Sequence, residues 1–333
     1  MIPSKRMLPY TDRPLPMHSS QYRRTRWLAA AGAAVLLGAL LLPAGTGASG
    51  DRIAVVVSSG DEPFRQAVAG FQDHLARQGV KQQLDVVTLG EAGETDGAQL
   101  QRISSEGPKI VLAVGTAATD LTLRKITGAP VVACLVLRTE RIEHAGNAAG
   151  VSLEFPLETQ FAWLQRILPQ ARTVGVLYNP AENQRRIDAA VQTAKRFGLR
   201  IDAEPVSSPK DVPAALNSLA KRADVLWCIP DAVTLSAVIS KNILLFSFRN
   251  SIPVIGPSPA WVKAGALYSL DWDYADLGVQ CGEMAVKILA GASPASVGVA
   301  SPRRVQYTLN LATARQMKLD LPDALVKGAR QTF

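Results

Sequence analysis

Residues Thr173–Ala215 read TVGVLYNPAENQRRIDAAVQTAKRFGLRIDAEPVSSPKDVPAA: an apolar strand, a polar turn and an amphipathic helix, then a second strand, a turn and the start of another helix. Parallel strands covered by helices on both faces read as short continuous apolar runs between amphipathic segments, and VGVLY followed by NPAEN fits that rule. Working outward, the same unit occurs earlier. The stretch DRIAVVVSSGDEPFRQAVAGFQDHLARQGVKQQLDVVTLG at 51–90 places a strand at Ile53–Val57 and a helix from about Glu62 to Gln78, closed by Gly79 as Gly198 closes the later one. Each half continues in step. KIVLAVG (Lys109–Gly115) and ADVLWCIP (Ala223–Pro230) are third strands, and Pro130–Leu137 and Pro253–Pro257 are fourth strands that open on proline. This register predicts an α/β protein of two Rossmann-like, doubly wound lobes.

Ahead of the first unit, Arg23, Arg24 and Arg26 precede an apolar core from Leu28 to Leu42 and the small-residue run PAGTGASG before Asp51. That order predicts a secretory signal peptide over 1–50, with Met17 a second possible start. The apolar core is shorter than the roughly 20 residues of a spanning helix. A retained membrane anchor is the alternative reading.

Setting residues 1–50 aside changes the electrostatics. Of 36 Lys or Arg and 28 Asp or Glu, that segment holds six and one, which leaves 30 basic against 27 acidic residues. The remaining chain carries no basic stripe interleaved with aromatics, so nucleic-acid binding is not expected. Cys134 and Cys228 sit in apolar strands and Cys281 on a helix, the pattern of buried free thiols. His74 and His144 are the histidines left, and neither falls in a Cys/His pattern of metal-ligand spacing, so no metal site and no cofactor are expected.

The sequence contains no G-x-G-x-x-G after the first strand, no P-loop, no H-E-x-x-H, no C-x-x-C and no G-x-S-x-G elbow. Instead the strand ends carry hydrogen-bonding groups: Ser58 and Ser59, Gly115 and Thr116, Asn179, and Asp231. In open parallel sheets the binding crevice lies at these carboxyl ends, facing helix N-termini. Such an array suits holding a small molecule better than transforming it, and no enzymatic activity is expected.

Four stretches carry a family resemblance: VGVLYNPAEN, PVSSPKDVPAAL at Pro205–Leu216, ADVLWCIPDAVTLSA, and GALYSLDWDYADLGVQCGEMAVKILAGASPA at Gly265–Ala295. With the tail RVQYTLNLATARQMKLDLPDALV and GTAAT at Gly115–Thr119, they resemble the periplasmic substrate-binding proteins of ABC importers, in the family that includes tryptophan- and phenylalanine-binding members. The resemblance implies a type I periplasmic binding protein, a monomer whose lobes close on a small polar or aromatic, amino acid-like ligand and then meet an ABC permease. A periplasmic sensor or adaptor for a receptor kinase or outer-membrane transporter is the alternative on the same fold. The chain departs from the family at CLVLRTERIEHAGNAAGVSLE, and at Asp231-Ala232-Val233-Thr234, where Asp-Asn-Thr is frequent.

The resemblance also implies three crossings between lobes, near Gly150–Glu158, Leu267–Gly278 and Arg303–Tyr307. The first lobe is then 51–157 plus 270–302, and the second 158–269 plus 303–333. At the hinge, Asp271 and Trp272 offer a polar and a stacking contact, or Asp271 or Asp273 only caps the helix beginning near Tyr274. Two readings also stand at Asp231, a ligand contact or an N-cap for the segment from Thr234. Ser258 and Trp261, in PSPAWVKAG, lie at the expected cleft mouth, where Trp261 stacks on a planar ligand or packs on the surface. Trp163 and Trp227 read as core, and Arg185 and Arg186 as a solvated helix face.

Overall fold

The computed structural model describes residues 52–81, 83–90, 94–137 and 139–333. The expected signal peptide lies outside the described residues. A first alternating series comprises β1 (Arg52–Val57), α1 (Glu62–Arg77), β2 (Gln83–Thr88), α2 (Glu94–Glu106), β3 (Ile110–Val114), α3 (Thr116–Lys125), β4 (Val131–Val136), α4 (Glu140–His144) and β5 (Ala148–Ser152). A second follows: α5 (Leu157–Ile167), β6 (Thr173–Tyr178), α6 (Pro180–Arg196), β7 (Arg200–Pro205), α7 (Val212–Leu219), β8 (Val225–Trp227), α8 (Ala237–Asn250), β9 (Val254–Ile255), α9 (Pro259–Lys263) and β10 (Tyr268–Trp272). The chain then returns with α10 (Tyr274–Leu289), α11 (Pro294–Val297) and β11 (Val299–Ala300), and ends with β12 (Val305–Leu309), α12 (Leu311–Gln316), α13 (Asp323–Gly328) and β13 (Gln331–Thr332).

The strands form two sheets in the orders β2-β1-β3-β4-β5-β11 and β7-β6-β8-β9-β10-β12-β13. Within each, the first five strands of a series follow one and the same order, which is the repeat visible in the sequence. Pairing is parallel throughout except between β10 and β12. The expected fold class of two doubly wound lobes is borne out.

The apolar runs are continuous because helices cover both faces of each sheet. Alternate residues of a strand point to opposite faces. Ile53, Val55 and Val57 therefore pack with Phe71 and Met284, while Ala54 and Val56 pack with Leu100 and Ile103. In the second lobe Val174 and Val176 join Phe161 on one face, and Leu177 joins Leu216 and Leu219 on the other. A side chain such as Phe71, wholly buried, contributes about 1.5–3 kcal/mol relative to exposure.

The chain passes between sheets three times: from β5 to α5, from β10 to α10, and from β11 to β12. β10 stays in the second sheet through Trp272, because Leu270, Asp271 and Trp272 are laddered to Tyr307, Gln306 and Val305. The second crossing therefore falls at Asp273 and not at 270. Helix α10 is held on the first lobe by close approach to α1. A Cβ at Gly278 would lie 1.9 Å from the Ala67 carbonyl oxygen, and one at Gly70 would lie 2.0 Å from that of Ala275. Only glycine allows the two backbones to meet so closely.

Candidate functional site

A cleft of about 700 Å³ opens at the carboxyl ends of the second lobe's strands, the edge where the topology places a binding crevice. Trp227, Cys228 and Asp231 come from the end of β8, Tyr268, Leu270 and Trp272 from β10, and Asn183, Arg185 and Arg186 from α6. The first crossing supplies Leu153, Glu154 and Phe155, and the first lobe supplies Leu137 and Glu140. On the first-lobe side, β4 shifts register against β5 between Ala133 and Val136, and buried Leu135 takes φ 56 there. Beyond this bulge Leu137 is left 64% exposed at the cleft edge.

Trp272 joins two crossings. Its ring stacks on Phe155 with centroids 5.6 Å apart and planes 7° from parallel. Its indole N–H donates to the Leu153 carbonyl at 2.8 Å. The indole polar end is thus satisfied by the backbone, leaving the ring itself as the surface offered to the cleft. Phe155 was not singled out by sequence reasoning.

Asp231 lies on the cleft wall at only 5% exposure. Its Oδ1 accepts from the N–H groups of Val233 at 2.9 Å and Thr234 at 2.7 Å, and its Oδ2 from that of Asn179 at 3.0 Å. Three backbone donors compensate the buried carboxylate, so it braces two strand-end turns while facing the cleft. Asn179 is the N-cap of α6, its Oδ1 accepting from Ala181 N–H. Thr234 is buried and donates to the Ile229 carbonyl at 3.1 Å. Both support Asp231 from behind the wall. Burial, and after it the Asp231 charge, push the adjacent Cys228 thiol up to about 12.

Arg186 departs from its expected solvent-facing position. It lies three positions after Asn183, a buried residue of the cleft wall, and so shares that side of α6. Its guanidinium carbon sits 5.5 Å from the centroid of Trp227, and Nη1 donates to Glu154. Trp227 is itself packed edge-on against Phe161, with centroids 5.7 Å apart, so the platform under the guanidinium is part of the core. The Arg186 side chain is 23% exposed. Its Nε is sealed from solvent and has no hydrogen-bond partner. Burial lowers the pKa of the guanidinium, against the opposing pull of Glu154. Arg185 also lines the cleft, from an exposed position.

The other singled-out residues lie off this cavity wall. Ser58 Oγ accepts from Ala118 N–H at 2.8 Å, in the first turn of α3, and Ser59 Oγ accepts from Asp61 N–H at 3.1 Å. Gly115 holds φ 98 as the N-cap of α3, with Thr116 exposed just after it. Ser258 precedes α9 without capping it through its side chain. Trp261 packs over Gly256 and against the core of its lobe. Asp271 is buried, accepting from Trp272 N–H at 2.9 Å, Tyr274 O–H at 3.2 Å and Arg330 Nη1 at 2.8 Å.

Several known proteins are similar to this chain. A tyrosine-binding protein of Clostridioides difficile (strain R20291) is 27% identical over 194 residues, which is 57% of this chain and 54% of that protein. The match thus spans about half the length of that relative. An ABC domain from Streptococcus pneumonia, solved in complex with L-Trp, is 22% identical, with 85% of this chain and 100% of that chain covered and a TM-score of 0.56. A ligand-free, open substrate binding protein with adhesive properties from Clostridium difficile covers 84% of this chain and 98% of its own, at 22% identity and a TM-score of 0.69. Those two likenesses show the fold. The model of the ABC transporter substrate binding proteins matches residues 52–333. With two doubly wound lobes, a cleft at the strand ends and that match, this chain belongs to the ABC transporter substrate binding protein family, whose members bind a substrate and are not enzymes.

Proposed function

We propose that this chain is the exported binding component of an ABC importer, capturing a small polar or aromatic, amino acid-like molecule between its lobes. Lobe closure would bury the ligand and present both lobes to a membrane permease. The cleft carries this reading: the rings of Phe155, Trp227 and Trp272 stand beside a half-buried cation in a cavity of about 700 Å³. That is a volume suited to one small molecule. The tyrosine-binding relative and the structure holding L-Trp support an aromatic amino acid.

Asp231 and Trp272 are the proposed contacts already on the cleft wall. Ser58, Ser59, Gly115 and Thr116, at the carboxyl edge of the first sheet, would reach a ligand when the lobes close. The apolar core at 28–42 and the small residues after it support export to the periplasm. No helix of the described residues is long and apolar enough to cross a membrane. A monomer suffices for this mechanism.

A thermal-shift screen against the common amino acids, aromatic acids and purines tests it. A binder at a hundred times its dissociation constant adds about 2.7 kcal/mol of stability. An aromatic amino acid is expected to raise the melting temperature. A flat response across the whole panel overturns the reading.

A further inference from the structure

Arg186 is a largely buried cation on the cleft wall. A guanidinium carries five N–H donors in a planar fork that matches a carboxylate. Among the described residues, Glu154 is its only hydrogen-bond acceptor, reached from Nη1 alone. The Nε is closed off from water and unpartnered, and burial disfavours the charge. A largely buried cation with one acceptor is under-satisfied, and a ligand carboxylate can supply acceptors along the Nη edge that the cleft reaches.

The orientation is also set in advance. Trp227 lies under the guanidinium, and its own ring is locked against Phe161. Glu154, by contrast, is half exposed and sits on the short segment between β5 and α5. One partner is fixed and the other is free to leave. We propose that Arg186 is the receptor for a ligand carboxylate, and that Glu154 is the resident counter-ion that the ligand displaces. This rests on the small-molecule reading of the cleft and adds a chemical requirement to it: the ligand bears a carboxylate, placed beside the Trp227 ring. Since Glu154 belongs to the first crossing, displacing it also releases one tie between that crossing and the second lobe.

Calorimetric titration of the full chain with L-tyrosine and L-tryptophan, and with tyramine and tryptamine, separates the terms, because the amines keep ring and ammonium and lack the carboxylate. Wild type is expected to bind at least one acid, and its amine at least about thirtyfold more weakly, the scale of charge-assisted hydrogen bonds. Arg186→Met should weaken the acid about a hundredfold and leave the amine unchanged. Glu154→Gln should bind the acid about three- to tenfold more tightly, because the competing carboxylate is gone. A merely orienting Glu154 would give the opposite sign.

Equal binding of acid and amine, Arg186→Met within threefold of wild type, or unchanged or weaker acid binding by Glu154→Gln each overturns the proposal while the binding role stands. Failure of wild type to bind any of the four compounds removes both this proposal and the aromatic amino-acid reading. If Arg186→Met does not fold, Glu154→Gln decides alone, tighter binding supporting the proposal and unchanged or weaker binding overturning it.

Discussion

Replacing Asp231 by alanine removes the shared acceptor of three backbone N–H groups, those of Asn179, Val233 and Thr234, at 3.0, 2.9 and 2.7 Å. These groups belong to two different strand-end turns, so the carboxylate is a bracket between them as well as a local cap. A hydrogen bond to a charged group contributes about 1.5–3 kcal/mol. The three are not additive, and on the cleft side water can reach part of the space vacated. A loss of about 3–4 kcal/mol is therefore expected, at the upper end of single-residue effects. For a chain of this size that corresponds to about 6–16 °C in melting temperature. Asp231→Asn keeps one acceptor oxygen but turns an NH2 toward a backbone donor, so it should lie between alanine and wild type. The assay is thermal unfolding without ligand, with urea titration to check that the m-value is unchanged. A shift below about 1 °C in Asp231→Ala, well under the scale of one such bond, refutes the bracket and leaves Asp231 solely a ligand contact.

Two further outcomes follow from the packing. Gly278→Ala places a methyl 1.9 Å from the Ala67 carbonyl oxygen, so α1 and α10 must separate at a loss of about 1–3 kcal/mol, read as a lower urea midpoint. At Cys228, burial raises the pKa from its ordinary value to about 12, so folding stabilises the protonated thiol. That contribution is complete below about pH 8.5, the unfolded value, and is lost as pH rises toward the folded one. Native protein at pH 8 should accordingly resist iodoacetamide at Cys228, scored by peptide mass spectrometry, and become modified when urea unfolds it.

Much of the architecture could be read in advance because each strand run is apolar on both faces and each half repeats the same order of elements. VGVLY and IAVVV could only be central strands of a covered sheet. The cleft was harder. Hydroxyls at strand ends serve equally as helix caps or as ligand contacts, and composition does not separate the two. Ser58 Oγ faces the first turn of α3, and Asp231 faces two turns at once. Arg186 was hidden by its neighbour: an Arg-Arg pair on a polar helix suggests solvent. The signal that could have found it is helical phase, since Asn183 and Ile187 are both buried and Arg186 shares their side of α6. Phe155 was hidden in a turn, where periodicity says nothing about direction.

The three crossings are braced to one another. Trp272 reaches the first crossing through the Leu153 carbonyl and the Phe155 ring. Arg303, on the third, grips Asp276 at the start of α10 through Nε and Nη2, and Glu283 through Nη1. Arg330, in the C-terminal tail, holds Asp271 at the end of β10. Chain segments so joined cannot bend independently. Motion between the lobes would then be a pivot about one bundle, with the φ/ψ change concentrated in residues these bonds leave free. The first crossing is the exception, because its tie to α6 is the exposed Glu154 carboxylate on Arg186. A ligand that competes for Arg186 would therefore act on a brace of the hinge that lines the cleft, beside the Trp272 brace that also lines it. Occupancy and lobe position would then be linked through this ion pair as well as through the contacts made on closure.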